Sequence, residues 1–149
     1  MAQLRWRIPH PTTKSLDYDI RVVVIGDKLG YWSRGIRKDD FRASGSGSVS
    51  YDKNLVSPAL INTAFEAASA LDTDCMGFDI IYDPKTHDPL IIEMSYGFPH
   101  ATLLESGGYY DKEGTWHNSP LNAPVAILKR LLNKAEKQKL SANQVKLTS

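Results

Sequence analysis

The sequence predicts an α+β fold, a mostly antiparallel sheet with about two helices packed on one side. Three observations lead there. Apolar, β-branched runs come in pairs joined by short turn signals, as hairpins do. Two longer segments repeat apolar residues at helical spacing. No internal repeat and no linker-like stretch divides the chain, so its 149 residues fit one domain with an ordinary core.

Taken in order, residues 4–8 suit a short strand that ends at Pro9-His10-Pro11. Residues 20–25 are Ile, Arg, Val, Val, Val, Ile and read as a strand. Gly26-Asp27-Lys28 is a tight turn, and residues 29–36 form the return strand. Residues 37–50 become charged and then Gly/Ser-rich, the composition of a loop. Ser57-Pro58 opens a helix, with Ser57 as N-cap and Pro58 as the first helical residue. That helix runs to about Leu71, with Ile61, Ala64, Phe65, Ala68 and Leu71 on one face.

Two short apolar strands follow, residues 76–82 and 90–95, around the turn Asp83-Pro84-Lys85-Thr86-His87-Asp88-Pro89. A hairpin closed about Thr86 sets Tyr82 opposite Leu90 and Asp79 opposite Glu93. Residues 97–120 look irregular. A second helix covers about residues 123–139, with Asn122 as N-cap and Val125, Leu128, Leu131, Leu132 and Ala135 facing inward. The polar residues 141–149 are expected to fray.

Composition excludes several classes of function. Hydrophobic residues make up 42% and charged residues 23%, ordinary values for a globular chain. A formal net charge of +1 gives no bulk attraction to nucleic acid or to an anionic membrane. Cys75 stands alone, so no intrachain disulfide forms, which suits a reducing compartment. No apolar run is long enough to span a bilayer as a helix, and the N-terminus carries no signal-peptide pattern. A cytoplasmic location is the expectation.

The chemistry concentrates in a few residues. Strand side chains alternate faces, so Asp79 and Glu93 would project together. Like charges opposed across a sheet repel, and a site that keeps them there has a cation to share. Oxygen-only ligands suit Mg²⁺. The alternative is two exposed acids in another register. The run Arg42-Ala43-Ser44-Gly45-Ser46-Gly47-Ser48 can offer backbone N–H groups to an anion, with Arg42 as a charged fork beside it. It lacks the Gly-Lys-Ser/Thr ending of a P-loop. Arg21, Arg34, Arg37 and Arg42 cluster before or within this loop, and Asp19 shares a strand face with Arg21. A surface ion pair would explain that pair equally well. His10, His87, His100 and His117 have no supporting nucleophile motif, and no zinc-ligand spacing occurs. Lys129-Arg130-Leu131-Leu132-Asn133-Lys134 reads as the solvated face of a helix before it reads as a partner-binding segment.

Taken together, Asp19-Ile20-Arg21, Val24-Ile25-Gly26-Asp27-Lys28, Asp40-Phe41-Arg42-Ala43-Ser44-Gly45, Gly77-Phe78-Asp79 and Ile92-Glu93-Met94-Ser95 resemble the C-terminal part of an ATP-grasp domain. The resemblance is to the branch with ribosomal-protein glutamyl ligases and to ATP-grasp proteins of polysaccharide clusters. It covers residues 8–99, in order. It implies ATP and Mg²⁺ as cofactors, Asp79 and Glu93 with Ser95 at the metal, and Asp19 with Arg42, Ala43 and Ser44 at the nucleotide. Arg21 and Arg42 would steady phosphate or substrate. The implied reaction is ATP-dependent joining of a small-molecule or peptide carboxylate to an amine, through an acyl phosphate. The lysine-bearing upstream half of the family's domain has no counterpart here, which implies an N-terminal ATP-grasp half or a homo-oligomer as partner.

Three departures stand out. Ser95 replaces the family's metal-site Asn, and a hydroxyl is the poorer Mg²⁺ ligand. Arg5-Trp6-Arg7-Ile8-Pro9 stands where the adenine-hinge acid or amide belongs. The third is the missing half itself. The first two favour an alternative, a non-catalytic anion- or protein-binding module on the same fold. The aromatic stretch from Gly107-Gly108-Tyr109-Tyr110 to Trp116-His117 suits either an acceptor pocket or a loop anchored on the core.

Overall fold

A computed structural model describes residues 18–35 and 48–147. The predicted strand at residues 4–8 and the loop segment carrying Arg37, Arg42, Ala43 and Ser44 lie outside them. Among the described residues the fold is α+β, with a seven-stranded antiparallel sheet and three α-helices. β1 (Tyr18–Ile25) and β2 (Lys28–Gly35) form the central hairpin, with Ile25 opposite Lys28. Gly26 turns the chain with a φ of 62°, a left-handed conformation that only glycine adopts freely. β3 (Val49–Ser50) pairs with β2, and β4 (Cys75–Tyr82) pairs with the other side of β1. β5 (Pro89–Ser95) closes that edge, while β6 (Tyr109–Tyr110) and β7 (Trp116–His117) extend the opposite one.

The helices are α1 (Pro58–Ala70), α2 (His100–Glu105) and α3 (Ala123–Leu147). The Ser57 hydroxyl caps α1 by accepting the Leu60 N–H at 3.1 Å, with Pro58 in the first turn. Asn122 accepts from the Val125 N–H at 3.2 Å and so caps α3. Both caps follow the sequence prediction.

Helices on one side only was the expectation, and the sheet corrects it. Ile20, Val22 and Val24 of β1 pack with Leu60, Ile61, Ala64, Ala67 and Ala68 of α1. Val23 and Ile25, on the opposite face, pack with Trp32, with Leu103 of α2 and with Ala123 of α3. Both faces of β1 are therefore covered, which is why its residues 22–25 are apolar without alternation. Gly30 makes the second layer possible. A Cβ there would stand 2.2 Å from Leu103 Cδ1, so the absent side chain is what lets α2 lie on β2.

Three further expectations change. Residues 97–120 are not irregular throughout, since they include α2 and the β6–β7 hairpin. Val125, Leu128, Leu131, Leu132 and Ala135 do not face inward. Leu128 and Leu132 are 57% and 55% exposed, and α3 touches the sheet side through Ala123, Ala126 and Ile127 instead. On α1, Leu60 and Ala67 are buried where Leu71 was expected, and Leu71 is exposed. α3 also carries Lys129, Arg130, Lys134, Lys137, Lys139 and Lys146 against Glu136 alone, so the remainder of this +1 chain is net acidic.

Candidate functional site

One face of the sheet is divided. Alternation puts Asp19, Arg21, Val23 and Ile25 of β1 on it, together with Gly30, Trp32 and Arg34 of β2. The Val23–Ile25 end lies under α2 and α3, and the Asp19–Arg21 end carries charge instead. β4 and β5 complete that charged end with Asp79 and Glu93.

The pairing of Asp79 with Glu93 is as predicted, but the route to it differs. Tyr82 pairs with Pro89 rather than with Leu90. The register then shifts between Asp79 and Ile80, because Ile80 faces Ile91 while Asp79 faces Glu93. Ile92 is the extra residue of a β-bulge. The bulge cancels the one-residue offset of the turn and returns both carboxylates to one face.

The cation these carboxylates share is a guanidinium. Arg21, which pairs with Asp79 across β1 and β4, donates Nε–H to Asp79 Oδ1 at 2.5 Å and Nη2–H to Oδ2 at 2.6 Å. Its Nη2 also stands 3.9 Å from Glu93 Oε1. Arg34 donates to Asp19 at 2.9 and 2.5 Å and to Asp79 Oδ2 at 2.7 Å. Asp19 and Asp79 are each 3% exposed, whereas the Glu93 side chain is 63% exposed. Burial works against the charge on Arg34, but its bonds to Asp19 and the charge of Asp79 outweigh that. Its pKa rises above the usual guanidinium range and it stays protonated at every accessible pH. Every buried side-chain polar atom among the described residues is paired.

Asp19, Arg21, Asp79 and Glu93 thus come together, and Arg34 joins them. The hairpin arithmetic could have found Arg34. A two-residue turn at Gly26-Asp27 sets Ile25 opposite Lys28, and counting back sets Asp19 opposite Arg34. Ser95 lies two residues along β5, but its hydroxyl donates to the Gly97 carbonyl at 3.0 Å and accepts from the Gly97 N–H at 3.1 Å. Arg42, Ala43 and Ser44 lie outside the described residues.

Mg²⁺ takes one or two carboxylates and fills its remaining positions with water and phosphate oxygens. Asp79 and Glu93 are the carboxylates that would serve it, Asp79 by giving up a guanidinium bond, since both its oxygens are taken; the Ser95 hydroxyl is likewise engaged, in its own turn. Among the described residues no group of three or more His, Cys, Asp or Glu stands ready to hold a metal.

The aromatic stretch is an anchor. Tyr110 and Trp116 stack edge-on at 4.9 Å and pack against Tyr31 of the core. His117 pairs with Asp111 at 2.7 Å, and this bond holds the Asp111 carboxyl below its usual range. No helix among the described residues is long and apolar enough to cross a membrane. No protein-family model matches the chain, and no curated protein matches it.

Proposed function

We propose that this chain is the metal- and phosphate-binding wall of an ATP-dependent carboxylate–amine ligase, an ATP-grasp C-terminal half that works with a second half or a second subunit. The observation that carries the reading is the convergence of Asp19, Arg21, Asp79 and Glu93 from three strands onto one charged sheet end. Two arginines and two opposed carboxylates suit a polyphosphate delivered with a divalent cation. When bound, Mg²⁺ neutralises phosphate charge and orients the transferred group. Arg21 carries a planar fork of the kind that matches phosphate oxygens, here turned onto Asp79, and Arg34 keeps Asp19 and Asp79 in place.

A second reading has its own support. Both Asp79 oxygens already accept guanidinium bonds, which suits a non-catalytic module whose charged end is a finished structural element.

Calorimetry separates the two. MgATP titrated into the chain should release heat that disappears with EDTA and in Asp79→Asn. Heat unaffected by both changes refutes the ligase reading and leaves the module; an absence of heat at millimolar MgATP means that the chain is inert alone, and leaves an obligate second half or the module.

A further inference from the structure

We propose that the outer face of α3 pairs two copies of this chain, as an antiparallel two-helix coiled coil. The pairing needs neither nucleotide nor metal and does not rest on the reading above.

α3 meets its own body along one side. Ala123, Ala126 and Ile127 pack with the sheet layer, and Arg130 and Lys134 donate to Asp74. In a seven-residue repeat that sets Val125 at position a, these five residues hold positions b, c and f. Positions a and d lie on the opposite side. They carry Val125, Leu128, Leu132 and Ala135, then Lys139 and Ala142, and all six are exposed. From Leu128 to Ala142 every residue of the helix is exposed. A helix draws most of its stability from packing an apolar face, and here the body packs against only its first turns. An apolar seam at a and d is what a second helix buries.

Charge and side-chain size select the occupant. Residues 1–17 and 36–47 each carry more Lys and Arg than Asp and Glu, the same sign as α3, so neither segment of this chain complements it. A parallel copy would lay Lys137 and Lys139 of one helix beside those of the other. An antiparallel copy sets each basic half beside the half that its partner holds against a body. Among the described residues of that body, acids outnumber bases more than twofold. Lys129 and Glu136, the single acid of the helix, are one repeat apart, both at position e. Antiparallel helices related by a two-fold axis between residues 133 and 134 bring Lys129 of each copy toward Glu136 of the partner subunit. The same register faces Leu132 with Ala135 and Val125 with Ala142, large against small. It lays Leu128 along the aliphatic stem of Lys139, whose ammonium reaches past the seam to water.

Sedimentation equilibrium of the chain, without nucleotide or metal, reads the association. The unaltered chain should pass from monomer to dimer between micromolar and millimolar concentration. Leu132→Glu puts a charge into the middle of the seam and should weaken the dimer at least about tenfold. Lys129→Glu and Glu136→Lys should each weaken it roughly 3–10-fold, since each sets like charges together at both ends of the pair. The double variant carries the unaltered net charge and should recover the original affinity. A chain that stays monomeric throughout overturns the proposal and leaves the seam to a protein of other sequence. A dimer that Leu132→Glu leaves unchanged also overturns it, because its interface lies elsewhere. Charge variants that do not rescue each other overturn the antiparallel register. If far-UV circular dichroism shows that Leu132→Glu has lost helix, the charge pair, both members at exposed positions, decides. MgATP binding is a separate readout, so either reading can fail while the other stands.

Discussion

Arg34 reaches Asp79 at 2.7 Å across the full width of β1. The two residues sit on β2 and β4, strands that do not pair with each other. The guanidinium ties the sheet together from above, through charge, where the backbone ladder cannot. Asp19 and Asp79 remain buried because of it.

Arg34→Met should therefore destabilise the chain by about 3–5 kcal/mol, because it leaves two buried carboxylates short of a partner. Urea unfolding would measure this. Adding Asp19→Asn to Arg34→Met should recover part of the loss, and a strictly additive pair would refute the coupling.

On the proposed ligase reading, Ser95→Ala should leave metal-dependent nucleotide binding unchanged, because the hydroxyl is spent on the Gly97 turn. Calorimetry with MgATP is the check. A loss comparable to that in Asp79→Asn would put Ser95 back among the ligands.

Gly30→Ala places a methyl group 2.2 Å from Leu103 Cδ1. α2 must shift away from β2, at a cost of about 1–3 kcal/mol typical of overpacking. Thermal unfolding reads the loss. Leu103→Ala in the same chain should return some of it by opening the space.

Lys134 and Arg130 donate to Asp74 at 3.0 and 2.7 Å and hold its carboxyl below the ordinary aspartate range, Lys134 contributing most. A carboxyl depressed in the folded state adds stability above its unfolded pKa and loses it as pH falls through the folded value. The attachment of α3 at this point should therefore weaken below about pH 4. Amide protection across residues 126–134, taken relative to the intrinsic exchange rate at each pH, should fall there. In Asp74→Asn it should already be lower at neutral pH and should not fall further through that range.

Much of the fold could be read from residue order. The β1–β2 hairpin follows from an apolar run and Gly26, and the caps of α1 and α3 follow from Ser57 and Asn122. The Asp79–Glu93 pair was also legible, although the bulge at Ile92 was not, since nothing in an apolar run marks which residue will be skipped. α2 is too short to show a period. The apolar stripe of α3 is real, but periodicity reports that a face exists and not what it faces. The shared cation was inferred from the opposed carboxylates. Its identity as Arg21 depends on which strand lies beside β4, and sequence order does not state that neighbour.

α3 has a consequence for how the molecule behaves in an electric field. Its basic residues outnumber its one acid by five, while the rest of the chain sums to a net charge of −4, so a total of +1 hides two oppositely charged parts. Near its isoelectric point such a chain should be retained by cation-exchange and anion-exchange resins alike, by the helix on the one and by the remainder on the other. Its retention should follow ionic strength, through screening of each part separately, far more closely than it follows total charge.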